Sequence, residues 1–501
     1  MTAVLLTAPI IISFLTAIAC FLARHDRVAQ RWLSLLGSIA LLIASFLLAA
    51  EVIRHGPIAA AMGGWLPPFG IVLVADLFAV SMVVISAIIA VTTTIYSFGE
   101  VTDGEERFGF HTLLHSLLAG GCGAFLTGDI FNLYVWFEVM LIASFGLLIL
   151  GGRKEQIDGA VKYVVLNLIS TIAFLTGIGL IYGATGTLNM AELRDAIPAI
   201  ENDTVVLTTA VIFLFGFGVK AALFPVFFWL PASYHTPAVV VSSLFTALMT
   251  KVGVYALIRF FTLMYDTQMP QMQTMLLIIA AFTMVVGVLG AAAQNSIRRI
   301  LAFHSVSQIG YILLGLAIFT PLALVGAIFF IIHHIVVKAN LFLVGGVMTR
   351  LTGSEDLAKI GGLWRRTPWL AVLFLLPALS LAGLPPFFGF WAKLVVIQAS
   401  FEADAYLYGF IALFVGLLTM YSMSKIWMEG FWKAHPNPSG AAALSLSRNE
   451  LALLVAPIVL LTVATTALGL FASPFFDIAV QAAAQLTETD AYVRAVLGTL
   501  P

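Results

Sequence analysis

Apolar runs of about twenty residues recur along nearly the whole chain with short polar connections between them, the length of a helix that crosses a bilayer. The windows predict about fourteen spans, near 3–23, 31–52, 71–98, 110–127, 129–150, 158–182, 205–230, 238–263, 273–293, 300–319, 322–348, 368–398, 405–428 and 451–472. A further amphipathic piece, 475–496, has the pattern of a helix lying along the membrane surface. Connections near 183–204 and 429–450 are the longest, and neither is long enough for a soluble catalytic domain.

Two spans break their own pattern. Span seven carries Lys220 in an apolar run and Pro225 five residues later. Proline has no N–H and releases the carbonyl of residue 221, so the helix is expected to break there. Lipid offers an ammonium no partner, and a lysine at a helix centre costs at least ~3 kcal/mol. Snorkelling to an interface is the alternative, but Lys220 has apolar chain on both sides, Val205–Gly218 and Leu223–Leu230. Span twelve repeats the design, with Gly383-Leu384-Pro385-Pro386 ahead of Lys393. Five spans separate the two, so five-helix units built around them face opposite ways, the pattern of inverted repeats with discontinuous helices. The reading is an all-α polytopic membrane protein with two inverted five-helix repeats and discontinuous helices seven and twelve. Its units are 1–105 (helices one to three), 106–265 (first repeat), 266–430 (second repeat) and 431–501 (helix fourteen and tail).

Composition agrees. With 61% of 501 residues hydrophobic and only 10% charged, the balance is that of a membrane protein. A net charge of −1 gives nucleic acid no polybasic surface. Connections after odd-numbered spans hold Arg24, Arg27, Arg31, Arg107, Arg153, Lys154, Arg298, Arg299, Arg350, Lys359, Arg365, Arg366, Lys433 and Arg448; the other side keeps Arg54, Arg194 and Arg494. The positive-inside rule therefore puts both termini outside. Val4–Leu22, with basic residues only after it, reads as a span and not a cleaved signal peptide. Cys20 and Cys122 lie in apolar runs and imply neither disulfide nor metal. There is no phosphate loop, metal-ligand spacing or haem-ligand pair, so neither cofactor nor metal is expected.

The chemistry lies in ionisable residues left deep: Glu138, Lys220, Lys251, Lys338 and Lys393, with His333 and His334. Each needs a partner or a change of protonation. Glu138 reads as the only deep carboxylate, the natural partner of a lysine; the alternative is a neutral, hydrogen-bonded acid. Lys251 is either a relay group or a structural donor to nearby carbonyls. His334 and Lys338 are one turn apart on one face, a spacing suited to passing protons. His333 points elsewhere. Asp76 reads as interfacial, His111 and His115 as meeting headgroups, and Lys162, Arg259 and Lys425 as snorkelling span-end cations. His304, Ser307 and Gln308 form a polar stripe, with Gln308 given no protonatable role.

At these residues the chain resembles the antiporter-like subunits shared by proton-pumping NADH dehydrogenases and Mrp-type multisubunit cation/proton antiporters. The motifs are Gly128-Asp129-Ile130-Phe131-Asn132-Leu133-Tyr134-Val135-Trp136-Phe137-Glu138, the Lys220–Pro231 stretch, His235-Thr236-Pro237 leading to Lys251, Arg299–Tyr311, His334–Lys338 and Gly383-Leu384-Pro385-Pro386. They cover spans three to thirteen. Length and the wording around Glu138 bring it nearest to the D-subunit branch of the Mrp type. The resemblance implies that Glu138 and Lys220 pair in a first half-channel. It implies that Lys251, His334 and Lys338 pass protons laterally and that Lys393 opens a second half-channel. It also implies a hetero-oligomeric antiporter complex in the cell membrane as partner, with protons, and sodium exchanged for them, as cargo. The alternative is a proton-pumping subunit of an NADH dehydrogenase or membrane-bound hydrogenase.

Overall fold

Polar residues at the ends of apolar runs set where helices begin. A computed structural model describes residues 2–265, 270–436 and 446–498. Helix α1 (Thr2–Leu22) is followed by α2 (Arg27–His55), whose first N–H groups are accepted by Asp26. The connection after α2 holds a two-stranded antiparallel sheet, β1 (Ile58–Ala61) on β2 (Val72–Ala75), with Ile58 opposite Ala75. The predicted third span therefore starts as strand. Asp76 then caps α3 (Leu77–Glu100) through the Ala79 N–H, a contact worth about 1 kcal/mol. Short α4 (Asp103–Arg107) opens on a Thr102/Glu105 capping box and leads to α5 (Phe110–Leu126).

The centre of the chain supplies α6 (Ile130–Ile149), α7 (Lys154–Thr185), α8 (Met190–Ala196), α9 (Asp203–Ala221), α10 (Trp229–Ser233) and α11 (Val239–Leu244). A π-helical turn, Phe245–Met249, joins α11 to α12 (Thr250–Leu263). There follow α13 (Pro270–Ala293), α14 (Ile297–Ile318), α15 (Pro321–Thr352), α16 (Leu363–Arg366), α17 (Pro368–Ala382), α18 (Phe388–Glu402) and α19 (Tyr406–Ile426). The chain ends in α20 (Arg448–Leu470), α21 (Ala472–Thr487) and α22 (Asp490–Leu497). The expected 429–450 connection lies partly outside the described residues.

Among the described residues, twelve helical stretches are long and apolar enough to cross a membrane, and α5 and α17 are shorter apolar helices. With α17 and α18 counted as one broken crossing, they match the fourteen expected spans. The most apolar window of the α11–α12 stretch is wholly buried and that of α14 nearly so, whereas α1, α2 and α7 present most of theirs outward. The core thus runs along α12, α14 and α15. The 475–496 piece is amphipathic as expected, but it packs on the protein. The small face of α21 (Ala479, Ala482, Ala483) lies against α15 and α3, and α22 meets β1 and α8.

A local repetition runs through this order. At the start of α6, Ile130 N–H donates to Leu188 O and Met190 N–H to Gly128 O. At the start of α14, Ile297 N–H donates to Glu355 O and Leu357 N–H to Asn295 O, the same pattern in the same register. The second copy comes five crossings after the first.

Candidate functional site

Helix α9 stops inside the bundle because Ala222 takes a left-handed conformation (φ 60°) and its N–H turns back to Gly218 O and Val219 O. Trp229 Nε1 donates to Val219 O at 3.0 Å, and Leu223 N–H takes Gly218 O at 2.9 Å. Gly218 O and Val219 O at the break are thereby occupied. Its buried ammonium lies 5.6 Å from the centre of the Phe137 ring. Glu138 is the charged group acting on Lys220, but its Oε1 accepts from Thr171 Oγ1 at 2.7 Å. Glu138 and Lys220 are electrostatic neighbours here, not the contact pair that the resemblance implies.

Lys251 lies just beyond the π turn. Its ammonium donates to Thr246 O, inside that turn, and to Thr250 Oγ1 at 3.2 Å. A π turn shifts the usual i→i−4 pattern and leaves backbone acceptors for a side chain. Gly253 brings this helix against the end of α9. A Cβ there would stand 2.7 Å from Ala221 N and 2.9 Å from Lys220 C, so only glycine lets the two lysine-bearing helices meet.

The remaining cations continue the row. Lys338, wholly buried on α15, donates to Leu301 O of α14. Lys251 and Lys338 both act on His334, and Lys338 and Lys393 both act on His304. His304, assigned above only to a polar stripe, is thus within electrostatic reach of lysines on two helices. His333 faces the second break, where a Cβ on Gly389 would lie 2.7 Å from its Nε2. His304, His333 and His334 are fully buried, and among the described residues no ring nitrogen of theirs has a hydrogen-bond partner. Buried polar groups nearly always find a partner in protein or water, so these ring nitrogens are the places where water would bind along the strip. Lys393 ends the row, donating to Leu381 O at 2.9 Å and Ala382 O at 3.1 Å, the carbonyls freed where α17 stops. Gln308 Nε2 reaches only Thr419 Oγ1, at 3.4 Å, and Ser307 donates to Met284 O.

Several residues lie elsewhere than the sequence suggested. Glu138 is not the sole deep carboxylate. Asp76 is buried and makes a two-point ion pair with Arg259, at 2.7 and 2.8 Å, so Arg259 does not snorkel. Tyr255, also bonded to Arg259, and Tyr492 of α22 flank the guanidinium at 5.4 and 5.2 Å. His111 and His115 do not meet headgroups either. Ser34 Oγ bridges His111 Nδ1 at 3.0 Å and His115 Nε2 at 2.9 Å, all three buried. Arg27 and Arg31 clamp Glu106 beside them. Burial pushes the Glu106 carboxyl up, but hydrogen bonds from His111 and Arg31 outweigh it and hold the group below the usual range. Lys425 caps the end of α13 through Ala292 O and Gln294 O, whereas Lys162 is exposed and pairs with Asp158. No group of three or more His, Cys, Asp or Glu side chains among the described residues converges as a metal site.

Such a row of lysines and histidines has the chemistry to pass protons, but among the described residues no carboxylate cage converges for a hard cation. Residues 127–419, which contain all of it, match the family described as NADH:quinone oxidoreductase/Mrp antiporter, TM. The chain is 43% identical to the D subunit of the Na(+)/H(+) antiporter of Alkalihalophilus pseudofirmus over 98% of its own length and 99% of that protein. It is 38% identical to the protein of the same name from Bacillus subtilis, over 98% of both. Among solved structures, a chain in the Mrp complex from Dietzia sp. DQ12-45-1b superposes with a TM-score of 0.90 at 31% identity, over 99% of both chains. A chain of the membrane-bound sulfane sulfur reductase, an archaeal respiratory membrane complex, gives 0.90 at 28% identity, again over 99% of both.

Proposed function

The chain belongs to the NADH:quinone oxidoreductase/Mrp antiporter transmembrane family, and on that premise we propose that it is the proton-translocating subunit of a multisubunit sodium/proton antiporter. One observation carries this reading: four lysines, each buried on a different crossing, joined by buried histidines with no hydrogen-bond partner among the described residues. Charge this deep is costly and marks an ion pathway. Protons enter beside Glu138 and Lys220, pass through Lys251, His334, Lys338 and His304, and leave at Lys393. The repeats are 106–265 and 266–430, inverted about the membrane plane. The deeply buried α11–α12, α14 and α15 carry the lateral section. Both termini face the outside of the cell membrane, and the other antiporter subunits flank the lipid-facing helices.

A second reading has one observation of its own, the equally high superposition on a chain of the sulfane sulfur reductase. There the same proton row would be driven by redox partners. Capture of the assembled complex from native membranes decides between them: small membrane subunits support the antiporter, and iron–sulfur subunits overturn it. Vesicles carrying the captured complex should exchange sodium for protons, and sodium-independent behaviour sinks the proposal.

A further inference from the structure

Between the arginine- and lysine-rich face and Glu138 lies a second set of buried polar groups, none of them charged. Helix α7 carries Tyr163, Asn167 and Thr171 at a spacing of four, which places them on one face, each about 6 Å along the axis from the next. All three are buried. Thr171 Oγ1 donates to Glu138 Oε1 at 2.7 Å, so the upper end of this face touches the carboxylate directly. Asn167 Nδ2 donates to Tyr163 O at 2.8 Å. At the lower end, Tyr163 OH and Ser144 Oγ of α6 are 2.6 Å apart, and Ser144 also reaches Leu141 O at 2.9 Å.

The lower end leads on towards the basic face. The Tyr163 ring packs on Trp229 and Trp229 on Tyr234, with centroids 5.3 and 5.6 Å apart. Tyr234 is fully buried and its hydroxyl has no hydrogen-bond partner among the described residues. A phenol in that state normally finds a partner, so the hydroxyl marks a place for a polar ligand the size of water. Immediately beyond it are His235 and Thr236, whose carbonyl receives Arg153 Nη2 at 2.8 Å.

We propose that Tyr234, Tyr163, Asn167 and Thr171 are the rungs of a proton-loading ladder that feeds Glu138 from the basic face. The inference rests on the reading of this chain as a proton-translocating subunit. A gap of one helical turn is the span that a single bridging water covers. A proton arriving at the Tyr234 oxygen displaces the phenol's own proton to the next water, which passes one on to Tyr163, and so upward. Asn167 orients the middle water. At the top, Thr171 gives its hydroxyl proton to Glu138 and takes one from the water below, so every rung ends with as many protons as it began with. Because each rung is neutral, no charge is trapped on the way. A sodium ion would need several converging oxygens, which the ladder lacks. Glu138 is thus loaded from one side while Lys220 answers to it on the other.

The test uses the assembled complex and follows protonation of Glu138 by its infrared carboxyl band, identified by loss in Glu138→Gln. After an acid jump, Tyr163→Phe keeps the ring on Trp229 but removes the hydroxyl. It should slow appearance of the band about tenfold, and Thr171→Val should do the same. Thr171→Ser, which restores the hydroxyl, should recover most of the rate. If Tyr163→Phe fails to assemble, Thr171→Val carries the test alone. Unchanged kinetics in the assembled variants overturn the ladder. Vesicle exchange separates the two readings. Wild-type exchange in Tyr163→Phe beside none in Lys220→Ala removes the ladder and leaves the function. A slowed band in a complex that never exchanges sodium for protons removes the function and leaves the ladder.

Discussion

Helix α9 is left at Ala222 and helix α17 at Gly383, both in the left-handed conformation (φ 60° and 89°), and each is followed three residues later by a proline, Pro225 or Pro386. The backbone design is common; the position of the cation is not. Lys220 stands two residues before the first break and Lys393 ten after the second. Counted from the left-handed residue, Leu381 occupies the place of Lys220 and Ala232 that of Lys393. At the second break the lysine reaches back and satisfies two freed carbonyls. At the first, Trp229 takes Val219 O and Leu223 takes Gly218 O, and Lys220 responds to a carboxylate. One break uses its cation partly as a backbone cap, the other leaves it free to change partners.

Substitutions at the two lysines test that difference most strongly. Lys220→Ala should abolish proton-coupled exchange in vesicles while assembly stays at the wild-type level, and Lys220→Arg should also fail because arginine does not release its proton. Lys393→Ala should lose exchange and assembly together, since an unsatisfied buried carbonyl costs about 1–3 kcal/mol and two are exposed here. Equal assembly yields for the two alanine variants would erase the distinction.

The partner of the first cation comes next. Glu138→Gln should stop turnover with assembly preserved, and Glu138→Asp should keep part of it because the charge survives at longer reach. Wild-type turnover in Glu138→Gln across the pH range would mean that Lys220 does not depend on the carboxylate.

Smaller effects come from the left-handed residues. Gly383→Ala puts a methyl 2.7 Å from Lys393 Cδ and adds about 1–2 kcal/mol of left-handed backbone cost. Ala222→Gly removes that cost and should raise the melting temperature of the complex slightly. Opposite signs are expected, and matching signs would show that the breaks are not alike. In the row between them, replacing Lys338 with methionine should slow exchange more than replacing His333 with glutamine, and equal mild effects would remove Lys338 from the row.

The smallest effect concerns His235, beside the first break, where Val396 stands at the matching place in the second. Burial first, and the Arg299 charge second, hold its imidazole below the ordinary value near ~6.5. The neutral ring therefore stabilises the fold fully above about pH 6.5, and that stability declines as pH falls towards the lowered value. His235→Gln should flatten this acid-side fall in melting temperature.

What could be seen in the sequence was whatever stands out against its neighbours. A lysine, glutamate or histidine in an apolar run is visible in one dimension, as is a proline beside it, so the six candidate residues and both breaks could be picked out without coordinates. Asp76 and Arg259 did not stand out because each lies near a window edge and they are 183 residues apart in the chain. His111 and His115 looked interfacial because their partner, Ser34, belongs to another span. The π turn has no composition of its own, and Tyr163, Asn167 and Thr171 are neutral residues that carry no charge to stand out in an apolar span. Their four-residue spacing was the signal available, and it gains meaning only once Thr171 is seen against Glu138.

The aromatic cover on Arg259 has a consequence for how the molecule is made. Asp76 and Arg259 emerge from the ribosome within the first eight crossings, whereas Tyr492 lies close to the end of the chain. Domains form from the amino-terminal side as synthesis proceeds. The guanidinium therefore waits, paired but open on one side, through six further crossings until the last helix arrives. Completion of the first half of the protein is thus tied to completion of the whole, and a chain cut short before residue 490 carries that unfinished face into the membrane.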